Sequence, residues 1–156
     1  MTNLQVSGKD NNEIVTMVLF QQKKGVYMTF EETIKQNGFG KAVVEFQERL
    51  APDFWDGLRF EQLVEIYCAC DTNDSLSQRA FNTLAEMPID FDNWRIIYRR
   101  APQKSDLRAL ALMKMAELAS SLNDWKIIKR IAPEGSTLKA TAHDKIVEGY
   151  KLLNFD

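Results

Sequence analysis

Few residues in this 156-residue chain are of types that do chemistry, and their spacing is poor for it. The single histidine, His143, is followed by Asp144, the pairing of a base and an orienting carboxylate. Neighbours on a helix point apart, however, and no serine or cysteine is placed to complete a nucleophile. Cys68-Ala69-Cys70 offers two thiols without the second ligand pair that a structural zinc site needs, so no metal is expected. Two apart on a helix, these thiols diverge and cannot bridge, which fits a reducing, cytoplasmic setting. Glu31-Glu32 and Asp53-x-x-Asp56 are ordinary in caps and loops, and Gly135 lies in a turn, APEGS, rather than in a phosphate-cradling loop. No cofactor and no enzymatic activity are expected.

Positive charge is what recurs. Arg95 and Arg99 return 31 residues later as Lys126 and Arg130, with Arg100 beside the first pair and Lys129 beside the second. Arg95 and Arg99 lie one helical turn apart, as do Lys126 and Arg130, so stacking of the two stretches predicts a four-cation ridge that Arg100 and Lys129 widen. The ridge should stop at the preceding copy, which has Val64 and Cys68 at these positions. Such cations bind carboxylates or phosphates. Residues 1–93 carry 8 Lys/Arg against 15 Asp/Glu, whereas residues 94–156 carry 12 against 7, a net of −7 followed by +5. A nucleic acid would gain from phosphate contacts, yet a pI near 5.5 and the lack of aromatics interleaved with the cations disfavour it. An acidic protein surface needs only a local match of potential, and is the expected partner. Head-to-tail self-association of the two halves fits the same charges, as does a plainly solvated face.

The elements that must carry these cations are repeated. FDNWRIIYRRAP, residues 91–102, returns as LNDWKIIKRIAP, residues 122–133. The match continues from Ser105, Leu107, Ala111, Lys114 and Glu117 to Ser136, Leu138, Ala142, Lys145 and Glu148. A fainter copy has Phe60, Leu63 and Ile66 ahead of Asp74, Leu76, Ala80 and Leu84. Each unit reads as a helical hairpin. Apolar residues three and four apart in Phe91-x-x-Trp94-x-x-Ile97-Tyr98-x-x-Ala101 form one helix face, and Pro102 ends it. Asp92 and Asn123 are candidate N-caps of the first helices, and Asp74, Ser105 and Ser136 of the second. The second helix buries Leu107, Ala111, Leu112, Met115 and Leu118, and the alanine repeated at 80, 111 and 142 marks a close helix approach. His143 falls where the other copies have Phe81 and Leu112, so it is read as a partly buried packing residue. Hairpins of this size must stack to bury their faces.

The expected fold is therefore all-α, a right-handed α-α superhelix forming one domain over 1–156. Repeats occupy 59–89 (degenerate), 90–120 and 121–151, and an N-terminal helical cap occupies 11–58, with 1–10 flexible. In the cap, Thr29 or Thr33 could start a short helix that Asn37-Gly38 ends, and residues 39–50 read as the next helix. Residues 13–20 fit strand or helix; helix is preferred because a solitary strand has no sheet to join. No run of about eighteen apolar residues predicts a membrane span, and no signal peptide is expected from MTNLQVSGKDNNEIV.

The Trp-x-x-Ile helix, the Ala-Pro break and the Ser-x-Leu-x-x-x-Ala helix resemble the broad class of short α-helical hairpin arrays, the TPR-like and HEAT-like solenoids. The 31-residue unit is shorter than the unit of a TPR or a HEAT array, and Trp94 and Trp125 are not followed by the TPR Leu-Gly. The resemblance is one of architecture. It implies a binding scaffold and carries over no functional residue.

Overall fold

The computed structural model describes residues 20–23, 26–71 and 74–153. The expectations for residues 1–19, a flexible start and a helix beginning near residue 13, lie outside the described residues, except that Phe20 is in a strand. Strand β1 (Phe20–Lys23) pairs antiparallel with β2 (Val26–Thr29), Phe20 opposite Thr29 and Lys23 opposite Val26. This corrects the objection to a strand: its partner lies next in sequence, across Lys24-Gly25. The remaining elements of the described chain are helices, and the fold is all-α.

Helix α1 (Phe30–Asn37) starts at Thr29, whose hydroxyl accepts from the Glu32 amide at 3.1 Å while the Glu32 carboxylate accepts from the Thr29 amide at 2.8 Å. Gly38, at φ 86°, ends it in a conformation that favours glycine. Helix α2 (Phe39–Phe46) is shorter than expected, because the chain tightens into 3-10 turns at Gln47–Arg49 and Pro52–Gly57. These turns bring Phe54 and Trp55 under the cap, where Phe30 meets Phe39, Phe46 and Phe54 edge-on.

Three hairpins follow: α3 (Phe60–Ala69) with α4 (Ser75–Glu86), α5 (Phe91–Arg100) with α6 (Asp106–Leu118), and α7 (Leu122–Ile131) with α8 (Thr137–Leu153). Their first helices all start 31 residues apart, as do their second helices. The first helices end alike, with the Cys70, Ala101 and Ala132 amides bonded to the Ile66, Ile97 and Ile128 carbonyls. Pro102 and Pro133 hold the alanine before them extended, while the first unit reaches the same geometry at Cys70 with Asp71 in the proline's place. Asp74, Ser105 and Ser136 cap the second helices as expected. Asp92 and Asn123 do not cap the first; Asp90 and Ser121 do, since Phe91 and Leu122 already belong to the helices. Ala80, Ala111 and Ala142 are fully buried where each pair closes. Leu118, expected inward, is exposed at the last residue of α6.

Hairpins are joined side to side at equivalent carbonyls, by different partners. Cys68 Sγ lies 3.8 Å from the Arg100 carbonyl, and the Tyr98 hydroxyl donates to the Ile131 carbonyl at 3.2 Å. Arg100 and Ile131 are equivalent, so each junction satisfies one of the carbonyls that a helix C-terminus leaves without an internal partner. Tyr67, beside Phe81 in the first hairpin, and Tyr98 in the second reach the next unit, Tyr67 by accepting from the Leu107 amide and Tyr98 by donating to Ile131; Leu112, at the position of Phe81, is buried. In the third these positions hold Lys129 and His143, with Nζ 2.8 Å from Nδ1. His143 is exposed rather than packed, because no further hairpin lies beyond it among the described residues.

Candidate functional site

The candidate cations sit on α5 and α7, and the local sequence explains their placement. Trp94 and Ile97 face the core of α5, as Ile128 does in α7, so the residues between them point outward. Asp90 fixes the start of α5 by accepting from the Asn93 amide at 2.8 Å. A capping box between Ser121 and Asp124 fixes α7. Arg99, Arg100, Lys129 and Arg130 all fall in the last turn of their helices, where positive charge complements the helix dipole.

The six cations do not form one uniform ridge. Arg95 is held between carboxylates: Nη1 lies 3.5 Å from Asp92 Oδ1, and its charge also acts on Asp124 across the α5–α7 junction. Its Nε is buried without a hydrogen-bond partner. Lys126 turns toward α8 and places Nζ 5.1 Å from the centre of the Tyr150 ring. Lys129 is tied to His143. Arg99, Arg100 and Arg130 remain exposed, with no ion pair or side-chain hydrogen bond among the described residues.

Asp124 titrates below the ordinary carboxylate range. Partial burial pushes its pKa up, but hydrogen bonds from the Ser121 hydroxyl and from the Ser121 and Ser120 amides, with Arg95 nearby, outweigh it. Burial pushes both thiols up, Cys70 to about 11, with Asp74 and Asp71 adding to the effect there. That is the reverse of what a reactive cysteine requires. Among the described residues no three His, Cys, Asp or Glu side chains gather to hold a metal ion. A cleft of about 30 Å³ among Tyr67, Ser77, Gln78, Phe81 and Asp106 has room for water only. No described helix is long and apolar enough to cross a membrane.

Sequence reasoning missed Arg108. Its guanidinium lies 4.1 Å from the centre of the Tyr98 ring and donates from Nη1 to the Ala101 carbonyl at 3.3 Å, locking the turn that carries Arg99 and Arg100. The signal available was its place one turn into α6, after the Ala-Pro break. Arg79, over the Trp55 ring at 4.5 Å, likewise joins the first hairpin to the cap.

Comparison of the chain with protein-family models, with curated proteins and with solved structures gives no match. The helices stack as neighbouring pairs, an arrangement compatible with a helical repeat.

Proposed function

We propose that this chain is a non-enzymatic protein-interaction module, an adaptor or inhibitor, that engages an acidic protein surface through the C-terminal ends of α5 and α7. The observation that carries this reading is the state of Arg99, Arg100 and Arg130. All three are exposed and lack carboxylate partners among the described residues, while Arg95, one turn away, has them. A guanidinium presents a fork of donors suited to a carboxylate, and an unpaired one needs no internal contact broken before it binds. Guanidiniums also suit phosphate, but the chain's net charge of −2 and its acidic first half oppose a long polyanion. In this reading the hairpins act as a solenoid-like scaffold that holds the cations in a fixed register.

The test is capture from native lysate with the wild-type chain and with a variant carrying Arg99→Glu, Arg100→Glu and Arg130→Glu. The expected result is a defined protein retained by the wild type after nuclease digestion and lost by the variant, with circular dichroism unchanged. Equal retention by the variant would reject this surface. Recovery of nucleic acid alone would move the function to the nucleic-acid class.

A further inference from the structure

We infer that the outer face of the third hairpin, where α7 meets α8, docks an amphipathic helix whose apolar stripe is flanked on one side by acidic residues. The repeat itself marks the face. Leu112 of α6 is buried and Ala116 and Ala119 pack against the core, whereas the residues 31 positions on, His143, Val147 and Tyr150 of α8, are exposed. Successive helical residues turn by about 100°, so these three share an arc of about 60° on α8. Val147 is 38% exposed and Tyr150 45%. Inside the stack, the helix that follows each hairpin lies against it, α5 against α3 and α7 against α6, so a helix is the shape this face accepts. Among the described residues none follows α8.

Charge sets the partner's chemistry. Where α5 presents Tyr98 to the next unit, α7 has Lys129, and α8 answers with His143, Nζ 2.8 Å from Nδ1. Lys126, one turn earlier on the same side of α7, holds Nζ 5.1 Å from the centre of the Tyr150 ring. An ammonium has three donors, so Lys129 can keep its bond to His143 and still donate to an incoming carboxylate. Neither lysine has an ion pair among the described residues, since Glu134 and Glu148 take Lys139 and Lys145 instead. The opposite edge of the face carries one charge of each sign, Asp144 and Lys151, so acid is demanded on the α7 side alone. A wholly apolar helix would leave two ammonium groups without carboxylates, and a basic one would be repelled. Two acidic residues three or four apart on the partner helix span the same distance as Lys126 and Lys129. The face includes none of Arg99, Arg100 and Arg130, so it adds a second contact to the reading above and does not rest on it.

Fluorescence anisotropy at physiological ionic strength, with the full chain and labelled synthetic peptides, tests this. One peptide is helical, with leucines three and four apart and glutamates along one flank. A second has lysines in place of the glutamates, and a third has the first's composition in scrambled order. The expected result is tightest binding of the first peptide and a loss of about tenfold with Val147→Asp or with Lys126→Glu plus Lys129→Glu. The lysine peptide should regain binding to the double variant, and Arg99→Ala plus Arg100→Ala should change little. Equal binding of the scrambled peptide, or failure of the lysine peptide to rescue the double variant, overturns the docking of an acidic helix. So does no binding of any peptide, the outcome if the chain's own residues cover the face. A wild-type dimer in sedimentation equilibrium that Val147→Asp dissolves overturns it too, the outcome if a second copy does. None of these touches the capture test above, which reads Arg99, Arg100 and Arg130.

Discussion

Gly40→Ala tests the junction between the cap and the hairpins most severely. A Cβ at residue 40 would stand 2.1 Å from the Glu65 carbonyl oxygen, 2.5 Å from its carbon and 3.0 Å from the Ala69 Cβ. The nearest obstacles are backbone atoms in the middle of α3, so no side chain can swing away. Relieving the overlap requires α2 to retreat from α3 by about 1 Å, opening the contacts of Ala42, Val43 and Phe46 with Leu63 and Ile66. Overpacking of this kind costs about 1–3 kcal/mol and occasionally more. Against it stands the gain of about 1 kcal/mol that alanine has over glycine inside a helix. The gross clash belongs at or beyond the upper end of its range, so the net expectation is a loss of about 2 kcal/mol in urea unfolding. Gly149→Ala is the internal control: its Cβ would meet Leu122 Cδ1 at 2.9 Å, the movable end of a side chain. It should be close to neutral or stabilising by up to about 1 kcal/mol. If Gly40→Ala stabilised the protein as much as Gly149→Ala, the tight α2–α3 approach would be refuted.

Lys104 and Gly135 occupy equivalent turns at φ 63° and 73°, so Lys104→Gly should stabilise by about 0.5–1 kcal/mol and Gly135→Ala destabilise by about 1 kcal/mol in thermal or urea unfolding. No atom lies within 4 Å of a Cβ at Gly135, so any loss there reports backbone strain and not crowding. Trp94→Ala should cost about 3–5 kcal/mol, and Trp125→Ala measurably less because that ring is only partly buried; equal losses would contradict the placement of the third hairpin at the end of the stack. Because the Asp124 pKa is depressed in the folded state, its contribution should be fully present above the ordinary carboxylate pKa and fade as pH falls through the lower folded value. Ser121→Ala should remove about 1 kcal/mol at neutral pH and flatten that acid dependence, which urea titrations from pH 6 down to pH 2 would show.

The hairpins were legible because their period is written in residue types that have one physical use each. Ala-Pro stops a helix, Ser or Asp starts one, and a buried alanine recurs where helices close. Asp92 and Asn123 are as good capping residues by type as Asp90 and Ser121, and only the hydrogen bonds that Asp90 and Ser121 accept from the Asn93 and Asp124 amides put the helix starts ahead of Phe91 and Leu122. The β1–β2 hairpin was illegible for a different reason. Judged alone, a four-residue strand has no partner, and the register that supplies one depends on a two-residue connection. Gly40 carried no signal at all, since nothing in its local pattern says that a carbonyl from α3 will lie against it.

For the site, the sequence supplied the cations but not their pairing. Arg95 and Arg99 lie one turn apart on α5; what separates them is that Asp92 sits one turn below Arg95, whose charge also acts on Asp124 of the next unit. The Asp92 pair lies within α5 at a spacing the sequence offers, but the influence on Asp124 crosses the repeat boundary, where a periodic pattern is silent. The same boundary explains His143. Phe81 and Leu112 at its equivalent positions argue for packing only while another hairpin follows, and in the third unit both members of the packing pair change together, Tyr98 to Lys129 and Leu112 to His143. A polar pair bonded to itself gives the outer face of the third hairpin a surface that water can wet.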